Sequence, residues 1–297
     1  MIDYKSIIKN RELRLQLIKL LGFIPDKPYL KFVYWIKTGR RLNLKSPVGF
    51  NEKLNWLKLN YRKSEYTDLV DKYLVRSYVE DKVGAEYLIP ILGIYDSFDD
   101  INFDLLPDSF VLKCTHDSGS VKIIRNKYLI DKDELRRFFK RRLSINSYLL
   151  GREYPYKNVR PRIIVEKLMG DGITMPHDYK FFCFNGKPEL MYIASDREKD
   201  CRFTFFDMDF KRINEIEFYI HPSSAEKFEK PKSFEVMKSL AAELSKGMPF
   251  VRMDFYEIGG KPYFGEFTFF TGGGFYLFKP DAYEEYLGEL IDIANLQ

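Results

Sequence analysis

Arg252, Asp254, Glu266 and Thr268 place two carboxylates, a hydroxyl and a guanidinium within one short stretch, Val251-Arg-Met-Asp-Phe-Tyr-Glu-Ile-Gly-Gly-Lys-Pro-Tyr-Phe-Gly-Glu-Phe-Thr-Phe. Two runs rich in aromatic and β-branched residues flank Gly259-Gly260, which predicts a β-hairpin. Side chains alternate along a strand, so Val251, Met253 and Phe255 share one face and Arg252 and Asp254 the other. On the return strand Gly265, Phe267 and Phe269 face the first way, and Glu266 and Thr268 the second. An odd-numbered loop centred on Gly260 then sets Asp254 opposite Glu266 and Arg252 opposite Thr268. Opposed carboxylates on one sheet face repel by roughly 0.2–1 kcal/mol, so a cation between them is expected. Hard oxygen ligands suit Mg²⁺, which commonly takes one or two carboxylates plus substrate phosphates, and Arg252 would face the same anion. A solvated hairpin face without a ligand fits the same residues, so the rest of a site has to be sought elsewhere in the chain.

Lys113 is the first candidate. The stretch Phe110-Val-Leu-Lys-Cys reads as a strand, 115–120 (Thr-His-Asp-Ser-Gly-Ser) as a small loop, and Val121-Lys-Ile-Ile as the return. Backbone N–H groups of such a loop, around Ser118, Gly119 and Ser120, can cover phosphates, and a lysine ammonium is a compact charge for the same anion. A plain hairpin turn fits equally, and no Walker motif is present. His116 is expected to point at solvent or phosphate. In Asp178-Tyr-Lys-Phe-Phe-Cys-Phe, ending at Asn185-Gly186, alternation puts Asp178 and Lys180 on one face. Arg160, Arg162, Lys180 and Arg197 are candidates for anion contact, Arg162 and Arg197 for a substrate. Gly272-Gly-Gly274 could cradle an anion, although letting the chain turn is the simpler role. Asp207-x-Asp209 has the spacing of a metal- and nucleotide-sugar-binding pair but also reads as an Asp-rich turn.

These residues need a scaffold, and 297 residues are long enough for one large core or two domains. A 45% hydrophobic and 16% aromatic content excludes a disordered chain. The net charge of +5 admits an acidic substrate but is not the footprint of a nucleic-acid binder. No run approaches the roughly 18 apolar residues of a membrane span, and the N-terminus lacks the apolar core of a signal peptide. Three unclustered cysteines suit a reducing cytoplasm, and three scattered histidines lack metal-ligand spacing.

Helices are expected over 5–22, whose basic face leaves peripheral membrane contact open, and over 28–39. Another follows Asn51 as its N-cap, and a fourth runs over 65–82. The region 1–83 is therefore mostly helical. From 84 the texture turns to strands, beginning with a short buried one at 88–94. Further helices are expected at 131–143, with its Lys and Arg on a solvated face, at 233–245 and near 281–295.

Lys113 with its loop, Ile163-Ile-Val-Glu166-Lys-Leu-Met, Asp178-Tyr-Lys180, Arg252-x-Asp254 and Gly265-Glu266-x-Thr268 stand in an order that resembles the ATP-grasp superfamily. From about Asp71 the chain is similar to its TupA-like branch, found with teichuronopeptide and capsular polysaccharide biosynthesis. The resemblance implies an α+β, ATP-grasp fold over 84–297. Two lobes of antiparallel sheet, about 107–168 and 169–297, would grip ATP behind the helical N-terminal region. By position it implies that Lys113 holds the α- and β-phosphates with Ser118, Gly119 and Ser120 closing over them. Glu166, the Lys167 carbonyl and the Met169 N–H would meet the adenine, and Asp178 the ribose. Asp254 and Glu266 would bind Mg²⁺, and Arg252 would be the catalytic arginine. Many members carry Asn where Thr268 stands, and a hydroxyl can still ligate Mg²⁺.

The expected activity is an ATP- and Mg²⁺-dependent carboxylate–amine ligase that forms an acylphosphate and joins an amine to a sugar acid of a surface polysaccharide precursor. It would work in the cytoplasm or at the inner face of the membrane. A glycosyltransferase using Asp207 and Asp209, or a kinase that stops at phosphorylation, are the alternatives.

Overall fold

The computed structural model describes residues 21–170, 176–195 and 201–296. The helix expected over 5–22 falls outside them except for its last two positions, which enter a 3-10 turn, Leu21–Phe23. Arg197 also lies outside the described residues. The described helices are α1 (Asp26–Thr38), α2 (Phe50–Asn60), α3 (Tyr66–Val70), α4 (Val75–Val83), α5 (Lys132–Leu143), α6 (Tyr148–Gly151), α7 (Phe234–Leu244) and α8 (Ala282–Glu289). The strands are β1 (Ile91–Tyr95), β2 (Phe110–Cys114), β3 (Lys122–Ile124), β4 (Ile163–Lys167), β5 (Asp178–Phe184), β6 (Lys187–Ser195), β7 (Arg202–Phe206), β8 (Glu217–Phe218), β9 (Val251–Ile258), β10 (Lys261–Thr268) and β11 (Phe278–Lys279).

Two main antiparallel sheets with separate cores, beside a two-stranded one of β8 and β11, make an α+β molecule. The smaller has the order β1-β4-β2-β3. Phe110, Leu112 and Cys114 of β2 and Ile163 and Val165 of β4 point from it onto Leu135 and Phe139 of α5. The alternate residues Val111, Lys113, Ile164 and Glu166 therefore share the opposite face. β1 is an edge strand and only partly buried, unlike the short buried strand expected over 88–94. The larger sheet has the order β10-β9-β5-β6-β7. On one face Phe181 meets Phe255 and Phe234 of α7. On the other, Phe182 meets Phe50 of α2 and Phe278 of β11. Residues of α2, α3 and α4 belong to this second core, so the helical N-terminal region packs into the larger lobe.

Three departures from the expected elements bear on the site. First, the hairpin closes with Ile258 opposite Lys261, a two-residue turn at Gly259-Gly260 rather than an odd-numbered loop. The pairing of Asp254 with Glu266 and of Arg252 with Thr268 is nevertheless present, because a bulge between Phe264 and Glu266 adds the missing residue. A Cβ on Gly265 would stand 2.9 Å from the Asp254 carbonyl oxygen, which is why the bulge is glycine. Second, the helix expected over 65–82 breaks at Asp71-Lys72. The Asp71 Oδ1 accepts from the N–H groups of Tyr73 (2.7 Å) and Leu74 (3.2 Å), which starts α4 afresh and turns Lys72 out of the helix. Third, Asn51 is not the N-cap of α2. Gly49 holds that position, and the Asn51 side chain lies inside the helix, donating to the Tyr276 carbonyl (2.8 Å) and to Glu284 (2.7 Å).

Phe50 ties the helical region to the larger sheet, edge-on to Phe250 at 4.8 Å and in contact with Phe182, Phe184 and Phe278. It is 1% exposed. Truncating so enclosed a ring typically costs about 3–5 kcal/mol, so Phe50→Ala is expected to lower the unfolding free energy by that amount in urea titrations.

Candidate functional site

The larger sheet fixes a row of side chains directly opposite one another across neighbouring strands: Glu266 (β10), Asp254 (β9), Lys180 (β5) and Tyr192 (β6). Paired residues lie on one face, and Arg252, Thr268 and Asp178 flank the row on that face. The chain thus sets two acids, a lysine and a phenol side by side from four strands. They form one wall of a cavity of about 590 Å³, and Ser118, Gly119 and Ser120 line it from the smaller lobe.

Asp254 is 1% exposed and fully engaged. Arg252 grips it with two bonds, Nε to Oδ1 and Nη2 to Oδ2, both 2.7 Å, and Lys180 Nζ donates to Oδ2. Lys180 also pairs with Asp178 at 3.1 Å. Burial alone would raise the Asp254 pKa, but Arg252 and Lys180 outweigh it and hold the carboxyl below its ordinary value. Burial works against the Arg252 charge too, and Asp254 and Tyr192 more than compensate, so its pKa rises. Arg252 reaches further, donating to Tyr192 Oη (3.2 Å) and Thr268 Oγ1 (2.9 Å) and standing 3.5 Å from Glu266. Glu266 is the accessible member, with its side chain about one-third exposed (34%).

Lys72, freed by the helix break, completes the link between lobes. Its Nζ donates to the Asp117 carbonyl (2.5 Å) and lies 4.0 Å from Glu266 Oε2. The loop 115–120 is pinned from behind. Arg142 pairs with the Asp117 carboxylate and donates to the Ser118 carbonyl (2.5 Å), and the Ser120 hydroxyl donates to Asp117. His116 is 2% exposed, with Nε2 at 3.1 Å from the Ile145 carbonyl and 3.3 Å from that of Arg142. It therefore does not face solvent or phosphate, and burial lowers its pKa against the pull of Asp117.

Asp178, Lys180, Arg252, Asp254, Glu266, Thr268, Ser118, Gly119 and Ser120 all line the one cavity. Lys113 does not line it but is ion-paired at 2.6 Å to Glu166 on the inner face of the small sheet. Its partner Glu166 lines a narrow gap with Lys72 and Gly265 of the hairpin. Lys167 is exposed at its side chain and its N–H donates to the Pro90 carbonyl (2.9 Å). Met169 is half-buried beside it, and neither lines the cavity. Arg162 pairs with buried Asp71 at 3.0 Å, Arg160 with Asp96 at 2.8 Å on the surface. Asp207 Oδ1 accepts from the N–H groups of Asp209 and Lys211, an Asp capping its own turn away from the cavity.

Sequence reasoning passed over Lys72, Asp117, Arg142 and the buried polar stripe of α2. Arg142 had a readable signal: it follows Leu135 and Phe139 at helical spacing, on the buried side of a helix taken as solvated. On α2, Asn51, Asn55 and Lys58 recur at the same spacing. Asn55 Nδ2 donates to the Gly274 carbonyl (2.7 Å) and Lys58 Nζ to that of Gly273 (2.5 Å). With Asn51 on Tyr276, they hold the loop Thr271–Gly274, whose three glycines all have positive φ and whose Gly272 and Gly273 line the cavity. Lys58 is fully buried, and burial pushes its pKa down to about 7 against the opposing pull of Glu153.

A model of the TupA-like ATP-grasp family matches residues 52–292. A search of curated proteins gives no match. Among solved structures, the chain is similar to a D-alanine–D-alanine ligase from Bacillus anthracis complexed with ATP, at 16% identity and a TM-score of 0.38 over 73% of this chain and 60% of that one. It is also similar to the ATP-grasp ligase PsnB complexed with a precursor variant, Mg and ADP, at 12% identity and a TM-score of 0.44 over 100% of this chain and 74% of that one. An L-amino acid ligase from Bacillus licheniformis gives 11% and 0.38 over 70% and 42%. The chain thus spans less than two thirds of the Bacillus anthracis ligase.

Two outcomes follow from the geometry around the loops. Arg142→Ala removes the clamp behind 115–120, so amides of 116–120 should exchange at least about tenfold faster by hydrogen-exchange mass spectrometry. Lys58, with a folded pKa of about 7 against an ordinary value near 10.4, leaves the unfolded chain holding one more proton between those pH values. Stability should then rise with pH by about 1.4 kcal/mol per unit across that window, and lose that slope in Lys58→Met, as read by urea titrations from about pH 7 to 10.

Proposed function

Because the chain belongs to the TupA-like ATP-grasp family, we propose that it is an ATP- and Mg²⁺-dependent carboxylate–amine ligase. In this reading it activates a carboxylate as an acylphosphate and joins it to an amine. The acceptor is a uronic acid or related sugar acid of a surface polysaccharide precursor, such as a capsule or teichuronopeptide component, and the partner an amino acid or other amine. The observation that carries the reading is the row Glu266–Asp254–Lys180 with Arg252, facing Ser118–Gly119–Ser120 across one cavity. The site of action would be the cytoplasm, where ATP and activated sugars are made, with contact at the inner membrane face. Among the described residues no helix is long and apolar enough to cross a membrane.

The chemistry follows from the charges. A carboxylate does not react with an amine near neutral pH because oxide is a poor leaving group. Phosphorylation supplies a good one, and the protein's part is positioning and charge neutralisation. Lys72, Lys180 and Arg252 bring three cations to the cavity, and Ser118 to Ser120 offer backbone donors for phosphate oxygens. Lys113 would reach the phosphates by exchanging its Glu166 partner for them. Glu166, Lys167 and Met169 are the proposed adenine edge, Asp178 the ribose contact, and Arg162 and Arg197 the proposed acceptor contacts. Arg252, fixed by Asp254, Tyr192 and Thr268, is placed to stabilise the oxyanion that develops as the acyl carbon is attacked.

Asp254, Glu266 and Thr268 form an all-oxygen donor set, which suits Mg²⁺. When bound there, Mg²⁺ would neutralise phosphate charge. Asp254 is already paired with Arg252 and Lys180, and Glu266 keeps a solvent-facing side. Metal should therefore bind weakly alone and well with ATP.

Three measurements test this. Mg²⁺ alone should leave the melting temperature unchanged while ATP with Mg²⁺ raises it by a few degrees. Incubation with ATP, Mg²⁺ and pairs of sugar acids and amines should release ADP and phosphate together with an amide. A phosphorylated acid that accumulates instead would make the protein a kinase, and no acceptor-dependent ADP with any pair would end the ligase reading. Arg252→Lys, which keeps the charge but loses the fork, should lower kcat by about 10²–10³.

A further inference from the structure

Glu153 belongs to no part of the charged row, yet it lines the same cavity. It follows Arg152, which ends α6 in the left-handed conformation (φ 53), and precedes the turn Tyr154–Tyr156. Burial raises its pKa, and the charges that oppose this, on Lys58, Lys37 and Arg252, act at a distance. Among the described residues its carboxylate accepts no hydrogen bond and forms no ion pair. The cations it feels are committed elsewhere: Lys58 to the Gly273 carbonyl and Asn55, Lys37 over the Phe275 ring, Arg252 to Asp254. Burial also drives Lys58 toward its neutral form. The Glu153 carboxylate is half-buried and no side chain among the described residues meets it, so the fold leaves a place beside it open to a cation. Gly273 and Gly151 flank this oxygen: a Cβ on Gly273 would stand 3.5 Å from Glu153 Oε1 and one on Gly151 2.9 Å from it.

We propose that Glu153 anchors the ammonium group of the amine substrate, with Tyr156 and Tyr276 as the aromatic walls of that subsite. The proposal rests on the ligase reading and adds to it where the second substrate sits. An unpartnered carboxylate attracts a cation, and the aromatic lining selects an organic ammonium over a metal ion: Tyr156 and Tyr276 line the same cavity, and aromatic faces attract alkylammonium groups. The Tyr156 ionisation is suppressed by burial first, then by Glu153 and Glu266. An amine held at Glu153 shares the cavity with the phosphate-facing wall.

The test uses the full chain and n-butylammonium as probe, with n-butanol as its neutral isostere, titrated by ligand-observed NMR near pH 7.5, where the amine is protonated. The wild-type protein should bind the cation at least about tenfold more tightly than the alcohol, and Glu153→Gln should abolish that difference. Glu153→Asp should reduce it, and serves if the glutamine variant does not fold. Equal binding of both probes by the wild type, or an unchanged preference in a folded variant, overturns the proposal. ATP-analogue affinity, measured in parallel, should stay within about twofold in both variants. If the wild type fails to bind the nucleotide, the ligase reading falls while the cation titration still reports on Glu153. Where turnover is found, the Michaelis constant for a cationic amine should rise at least about tenfold in Glu153→Gln.

Discussion

Everything in the site depends on an unusual concentration of charge taken out of water. Asp254 is nearly inaccessible, Arg252 and Lys180 close over it, and Asp178 holds the lysine from its other side. Ions in a low-dielectric interior are costly, and even well-paired ones often add nothing to stability compared with apolar residues. Such a cluster is tolerable when opposite charges meet, and the sheet brings them together by setting the partners on adjacent strands at cross-strand spacing. The same arrangement rigidifies Arg252, whose fork is spread over Asp254, Tyr192 and Thr268. A guanidinium so held loses little freedom when an oxyanion forms beside it, which is the condition for electrostatic preorganisation.

The register that makes the cluster is itself the product of a local defect. A two-residue turn at Gly259-Gly260, continued without interruption, would bring Phe264 opposite Phe255 and Glu266 opposite Met253, with acid facing core. The bulge at Gly265 shifts the second half of β10 by one residue and restores Glu266 to the charged face. The residue pattern made this outcome readable, since Phe267 and Glu266 must segregate to opposite faces whatever the turn does. The means was not readable, because turn type and bulge trade against each other within a Gly-rich segment.

What the chain disclosed in advance divides along the same physical line. Strands β2, β5 and β9, the helices at 132–143 and 234–244, and the shared face of Asp178 and Lys180 follow from alternation and helical period. Those are local properties. The residues missed are the ones whose role is set by distant partners. Lys72 looked like one more helical lysine until Asp71 turned inward to cap α4 and released it. His116 looked like a loop histidine, but the carbonyls of Arg142 and Ile145 draw it under the loop. Asn51 looked like an N-cap, but it meets the Tyr276 carbonyl, while Asn55 and Lys58 meet those of Gly274 and Gly273.

That last contact explains how three consecutive glycines can be well placed rather than merely permissive. Left-handed backbone costs a glycine little, yet it gains no order from its own side chain. Here order is imported. The carbonyls of Gly273, Gly274 and Tyr276 are each bonded from α2, so the helix acts as a template and the loop's other side is presented to the cavity. Phe50 anchors the same helix in the aromatic core over Phe182 and Phe250, and Phe182 precedes Cys183, which pairs with Val251 at the start of β9. A displacement of α2 would therefore be felt at the glycine loop and at the base of the charged strands together. The helical region before the sheets is in this sense part of the site's frame, which accounts for a buried lysine in a helix that makes no contact with the charged row.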